Sequence, residues 1–348
     1  DRSVHTGRPN EARQRSGLRQ RQATIDEDDV VGRCVEKGRT FGRKNPQRVR
    51  EQFDGGQHIG RRPRLCCEQE QSHPYLARPR LLRHYLTVAD STLFARQQTL
   101  VTDDGVRLRA AHVPGPGGPT ALVVVHGFNA GIDKPANVTV VRTLATRFPV
   151  LTMDLRGHGR SDGLCTLGDK EVADVDAVVR WARTLGYRRV VTVGLSMGAS
   201  VVVRHAGLVG GVDAVVEVSG PAFWNYRGTP VMRMLHFGVE NRVARLWLTH
   251  VMRTRVIPPP WPEPWPESPV EAATNIPPAP FLIVHGTEDG FFPVEHPRAL
   301  ANAARAGAAA RDVPDETDLW LRPFGHAEAA ISRDLLLRIT DWVRQQLR

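Results

Sequence analysis

Val190-Val191-Thr192-Val193-Gly194-Leu195-Ser196-Met197-Gly198 is the stretch on which the reading of this chain turns. Its first four residues form an apolar run of strand length, and Ala199 to Leu208 behind it has the length of a helix. The pentad Gly194-Leu195-Ser196-Met197-Gly198 fits the G-x-S-x-G pattern in the setting that gives it meaning, a strand turning sharply into a helix. Glycines on either side of the serine omit the Cβ atoms that would collide in so tight a turn. The hydroxyl of Ser196 is therefore expected above a sheet, at a helix N-terminus. A serine hydroxyl is a weak nucleophile, so it needs a base and an orienting acid from elsewhere in the chain.

The same apolar run recurs on both sides of this stretch, at Ala121–Val125, Val150–Met153, Ala214–Val218 and Phe281–Val284. Strands apolar on both faces belong to a sheet covered on both sides. Helix-length segments such as Lys170 to Leu185 separate them, and this alternation predicts an α/β fold with a mostly parallel sheet flanked by helices. Thr99–Thr102 and Val106–Arg109 read as a hairpin with Asp104-Gly105 as its turn signal, and Pro114 to Pro119 reads as a loop. Leu319–Leu321 is expected to be the last strand and Leu335–Leu347 the closing helix. No internal repeat is present.

One insertion breaks the rhythm. About sixty residues separate Val218 from Phe281, and they hold Trp224, Trp247, Trp261 and Trp265, four of the seven tryptophans. The run from Pro258 to Pro266 cannot be a helix interior, because each proline removes a donor and clashes with the preceding turn.

Asp289, in His285-Gly286-Thr287-Glu288-Asp289, follows the strand Phe281–Val284 and is the acid candidate, with Glu288 as the neighbouring alternative. His326, between the last strand and the last helix, is the base candidate; His285 and His296 are the other histidines to check. The oxyanion donors are expected to be the backbone N–H groups of Met197, just after the nucleophile, and of Phe128 in His126-Gly127-Phe128-Asn129.

These residues, taken in order with Asp154-Leu155-Arg156-Gly157-His158-Gly159-Arg160-Ser161, resemble the α/β-hydrolase superfamily over about residues 98 to 348. The resemblance is greatest to its monoacylglycerol-lipase, lysophospholipase and serine-aminopeptidase-like branch. Gly198-Ala199 stands where that family often has two glycines. The resemblance implies a catalytic Ser196, Asp289 and His326, no metal or other cofactor, and a lid over about 221–279. Phe223, Trp224, Tyr226 and Trp247, with Met232, Met234 and Phe237, would line an acyl pocket or else pack the lid onto the body. Arg227, Arg233, Arg242, Arg245, Arg253 and Arg255 would meet an anionic head group or a membrane surface, or form a solvated face.

The activity this implies is hydrolysis of carboxylic esters, such as a monoacylglycerol, a lysophospholipid or another medium-chain ester, through an acyl-enzyme on Ser196. An aminopeptidase or amidase of the same fold is the second reading. It would need a carboxylate for the substrate amine, for which Glu240, Glu263, Glu267 and Glu271 are the lid's candidates. A binding protein on a hydrolase scaffold is the third. Enzymes of this fold with an aspartate nucleophile are excluded by Ser196.

Residues 1–80 differ from the body. They hold 19 apolar residues, and 18 Lys and Arg against 11 Asp and Glu, so they supply +7 of the chain's formal +10. Such a segment cannot offset its ordering entropy by burial and is expected to be a disordered basic arm. It lacks aromatic interleaving and any nucleic-acid motif, which argues against nucleic acid as its partner. Residues 81–348 are expected to form the hydrolase domain. Four cysteines without metal or disulfide spacing fit a reducing compartment. With no apolar run of signal or membrane-spanning type, a soluble cytoplasmic protein is expected.

Overall fold

The computed structural model describes residues 93–94, 96–259 and 263–348. The arm expected over 1–80 and Trp261 of the proline-rich run lie outside the described residues. β1 (Gln97–Val101) and β2 (Arg107–Val113) form the antiparallel hairpin. Its connection is longer than a two-residue turn. Thr102 N donates to Val106 O at 3.0 Å, and of the three residues between, only Gly105 has a positive φ, +83°.

The chain then alternates through β3 (Thr120–Val125), α1 (Pro135–Ala145), β4 (Val150–Met153), α2 (Glu171–Thr184), β5 (Arg189–Leu195), α3 (Met197–Leu208) and β6 (Ala214–Val218). An insertion carrying α4 (Pro230–Glu240), α5 (Arg242–His250) and the short α6 (Pro269–Ala273) follows. The chain closes with β7 (Phe281–Gly286), α7 (Glu295–Arg311), β8 (Thr317–Arg322), the one-turn α8 (Ala327–Ala330) and α9 (Arg333–Gln346). The sequence named the helices at α2, α3 and α9; α1 and α4 to α8 were not individually anticipated from it.

The eight strands form one sheet in the order β1-β2-β4-β3-β5-β6-β7-β8. β2 runs antiparallel to β1 and β4, and every other pair is parallel. This is the α/β-hydrolase fold. The alternation of side chains along each strand feeds two cores. Ala121, Val123 and Val125 pack with α2, α3 and α7 on one face, and Leu122 and Val124 with α1 and α9 on the other. Strands β3 to β7 are buried almost throughout, which is why their sequences are apolar on both faces. No helix among the described residues is long and apolar enough to cross a membrane.

The insertion leaves the sheet where the sequence placed it and forms a helical hairpin. Asn241 ends α4 and caps α5, its side chain accepting from the N–H groups of Val243 and Ala244 at 2.9 and 3.1 Å. The segment after α5 ties back to the body. Arg255 N donates to Gly157 O and Cys165 N to Arg255 O, each at 2.7 Å.

Glu217 is a fully buried carboxyl in β6. Burial pushes it up to about 8 from 4.5; the Gly220 N–H, 2.8 Å from Oε2, opposes that rise and the negative charge of Asp289 adds to it. Between these two values the folded protein keeps a proton that the unfolded chain releases. The stability this contributes at acid pH is therefore lost as pH rises through the window. In Glu217→Gln that dependence is absent. Its Tm relative to the wild type should climb by about 3 °C or more between pH 5 and 8 in thermal melts; a constant difference would show that Glu217 is ionised in the folded protein.

Candidate active site

Ser196 sits between β5 and α3 with φ 54° and ψ −118°. That strained backbone is held by contacts of main chain on main chain. A Cβ on Gly194 would lie 2.3 Å from Gly198 O, and one on Gly198 would lie 2.3 Å from Val125 O and 2.5 Å from His126 O. Only glycine fits at either position, and the approach brings the end of β3 against the start of α3.

His326 caps α8 and places its Nε2 2.7 Å from Ser196 Oγ. Its Nδ1 lies 2.7 Å from Asp289 Oδ2. Asp289 Oδ1 accepts from the N–H groups of Phe291 and Phe292 at 2.8 and 3.1 Å. Burial alone would raise the Asp289 carboxyl. The hydrogen bond and charge of His326 and the two backbone donors outweigh burial and hold it below the usual carboxylate range. Glu288, the alternative acid, is exposed. The other two histidines bond to backbone: His285 Nε2 lies 2.9 Å from Phe292 O, with Asp289 Oδ2 farther off at 3.8 Å, and His296 Nδ1 accepts from Ala222 N at 3.0 Å. Burial depresses His296 to about 4, so it is neutral.

Two further histidines shape the loop after β3. His126 Nδ1 faces Gly127 O at 2.7 Å and Nε2 accepts from Leu155 N at 3.0 Å. His158 Nε2 accepts from Asn129 N at 3.3 Å, and its ring meets Phe128 edge-on at 6.0 Å. Desolvation lowers His158 to about 3, in keeping with a neutral acceptor. Asp154 takes Ile132 N at 2.8 Å and Arg160 N at 3.0 Å. The Asp154–Ser161 segment thus braces the Phe128 loop beside Ser196.

A cavity of about 420 Å³ opens on Ser196 and His326. Phe128 and Met197 line it, as do Phe223, Trp224, Tyr226 and Met232 of the insertion. Trp247 does not. It is 54% exposed on the outer side of α5, since the inward face of that helix is taken by the buried Leu248, so its assignment to an acyl pocket is corrected. Met234 and Phe237 likewise point outward. Arg227 pairs with Glu240, Arg233 donates to Arg227 O and Gly228 O, and Arg245 donates to Val239 O and Glu240 O, so these three brace the insertion itself, while Arg255 donates to Ser161 O and ties it to the body. Arg242 and Arg253 are exposed.

Several residues of the site escaped the sequence reading. Phe291 stacks on His326 at 4.1 Å, and Thr229 Oγ1 donates to Phe291 O at 3.0 Å, tying α4 to the acid loop. Asn137 and Glu328 also line the cavity. Their one available signal was proximity, Phe291 and Glu328 each falling two residues after a triad candidate. No group of three or more His, Cys, Asp or Glu that could hold a metal ion occurs among the described residues.

Residues 120–258 match the family model described as the alpha/beta hydrolase fold. No curated protein matches the chain significantly. Among solved structures, the Pyrococcus furiosus esterase Pf2001 is 20% identical with TM-score 0.56, covering 72% of this chain and 92% of its own. A putative lipase from Acinetobacter baumannii is 16% identical with TM-score 0.55, covering 78% and 98%. Est1E from Butyrivibrio proteoclasticus, solved with ferulic acid bound, is 19% identical with TM-score 0.51, covering 72% and 99%. The chain is therefore a protein of the α/β-hydrolase fold, with a serine, a histidine and an aspartate joined by hydrogen bonds at one cavity.

The packing at the elbow leads to a direct expectation. Gly198→Ala forces a methyl into the carbonyls of Val125 and His126, and overpacking of this kind costs about 1–3 kcal/mol. Urea unfolding should show a lower midpoint for the variant; an unchanged midpoint would mean that the strand and helix separate freely.

Proposed function

We propose that the chain is a serine hydrolase that cleaves carboxylic esters through an acyl-enzyme on Ser196. The observation that carries this is the unbroken hydrogen-bonded series Ser196–His326–Asp289 at the floor of a largely apolar cavity. His326 Nε2 takes the proton of Ser196 as Oγ attacks the acyl carbon, then delivers it to the leaving alcohol oxygen. Asp289, kept ionised by its donors, orients the ring and stabilises the imidazolium. The N–H groups of Phe128 and Met197 receive the oxyanion, where each preorganised donor is worth about 2.7–4 kcal/mol of barrier. Water activated by the same imidazole releases the acid. The aromatic and aliphatic lining beneath the insertion suits a medium acyl chain, as in a monoacylglycerol or lysophospholipid. None of the lid carboxylates Glu240, Glu263, Glu267 and Glu271 lines the cavity, so the amine anchor that an aminopeptidase needs is not supplied from there.

Hydrolysis of p-nitrophenyl esters from acetate to palmitate tests the reading. The wild type should turn over with an optimum at medium length. Ser196→Ala should lose about 10⁶-fold in kcat and Asp289→Asn about 10⁴-fold. Turnover that survives Ser196→Ala would sink the assignment.

A lipid surface is the source of substrate that the insertion favours. Six of the thirteen exposed large apolar residues among the described residues fall between 234 and 251: Met234, Phe237, Val243, Leu246, Trp247 and Val251. Exposed Arg233, Arg242 and Arg253 accompany them. An apolar face with a basic rim is the composition of a helix that lies in an anionic lipid interface. Co-sedimentation with phosphatidylglycerol vesicles should retain the protein, and Phe237→Glu combined with Trp247→Glu should lower the bound fraction at least about fivefold. Equal binding of both proteins would remove the lid from the interaction.

A further inference from the structure

The cavity has two unlike ends. Beneath the insertion its wall is mostly apolar, with Leu167, Trp224, Met232, Leu235 and Val239 beside Asp169, Asn225 and His236. On the side of α1 and α8 it is polar, with Asn129, Lys134, Asn137 and Glu328. Seven buried side-chain polar atoms among the described residues have no hydrogen-bond partner, and the only two that belong to cavity-lining residues are Asn137 Oδ1 and Glu328 Oε2. Buried acceptors are rarely left without a partner, because the lost hydration is then not replaced.

Both orphans are acceptors. Asn137 Nδ2 donates to Gly131 O at 3.3 Å, which fixes the amide and leaves Oδ1 as the open atom. A carboxylate has only acceptors to offer. The Glu328 carboxylate is also close to the reacting atoms: a Cβ built on Gly127 would lie 2.9 Å from Glu328 Oε1 and 3.1 Å from Ser196 Cβ. Neither residue serves the triad.

We propose that Asn137 and Glu328 form a subsite for a hydroxyl group carried by the leaving alcohol of the ester. This rests on the esterase reading given above. A pair of acceptors calls for a donor in the ligand. Lys134 on the same wall disfavours a cationic one and leaves a hydroxyl. The alcohol half is assigned because His326 must reach the leaving oxygen to protonate it, and Glu328 stands two residues beyond His326 in α8. The apolar end then receives the acyl chain. A site built to hydrogen-bond a substrate hydroxyl rejects the analogue that lacks it, because its own buried acceptors stay unpaired.

The test compares 2-hydroxyethyl butyrate with propyl butyrate, which differ by a hydroxyl in place of a methyl group. Steady-state kinetics on the full chain should give a kcat/KM ratio of at least about 10 in favour of the hydroxy ester, the size of one hydrogen bond to a charged acceptor. In Glu328→Ala and in Asn137→Leu that ratio should fall at least fivefold, whatever the absolute rates. If Glu328→Ala turns over neither ester, Asn137→Leu alone decides. A wild-type ratio near one, or a ratio that both variants leave unchanged, overturns the subsite and assigns the two oxygens to bound water. Preference for butyrylcholine over the hydroxy ester overturns the hydroxyl in favour of an ammonium group. Absence of Ser196-dependent turnover on every ester is a different result: it fails the esterase reading, and the subsite falls with it.

Discussion

The contact of α3 with the end of β3 is the constraint from which the site follows. Gly198 lies against the carbonyls of Val125 and His126 so closely that no Cβ can intervene, and Gly194 lies as close to Gly198. Two things are fixed by that approach. The serine between the glycines is forced into a positive φ, at a cost of about 1–3 kcal/mol, and its hydroxyl is lifted off the sheet. The loop that begins at His126 is brought beside the same serine. Ser196 and the loop after β3 therefore share one reference point in the backbone. The strain is held in place by Ser196 N, which donates to Val218 O of the neighbouring strand at 2.9 Å, and by a sheet buried on both faces.

Electrostatics divides the buried carboxyls near the site into two kinds. Asp289 receives two backbone N–H groups and the His326 ring and stays below the ordinary carboxylate range despite its burial. Glu217, in the adjoining strand, has one backbone donor, and burial holds it protonated up to about 8. Of these two carboxyls only Asp289 is held as an anion, and it faces the imidazole. The neutral histidines His126, His158 and His296 serve as hydrogen-bonding struts and add no competing charge.

The sheet and the three residues joined by hydrogen bonds at the cavity were legible because their signals are local and strong. Five apolar runs of strand length, with glycines at 194 and 198 in the one place where backbone meets backbone, leave few architectures open. The order Ser196, Asp289, His326 then selects its own partners. What was not legible depends on which way a helix faces. Trp247 and Leu248 are adjacent apolar residues of α5, and only the packing of the hairpin decides that Leu248 is buried and Trp247 exposed. Helix α7, Glu295–Arg311, escaped for a related reason: it is rich in alanine and arginine, and its inward face is drawn by Leu300, Ala301 and Ala304, a faint apolar stripe. Asn137 and Glu328 were missed because a polar residue's role at a cavity wall comes from what its neighbours leave unpaired, which no spacing records.

The insertion is apolar on both sides. From α4, Met232 and Val239 are buried over the cavity, while Met234 and Phe237 are turned to solvent. A helix apolar all round is ordinarily a buried one, and an open apolar face of this extent marks a surface that meets something. The two faces are mechanically linked, because α4 and α5 are joined through a single residue, Asn241, and α4 is anchored to the acid loop by Thr229. The outer face is thereby connected, through α4, Thr229 and Phe291, to the ring of His326.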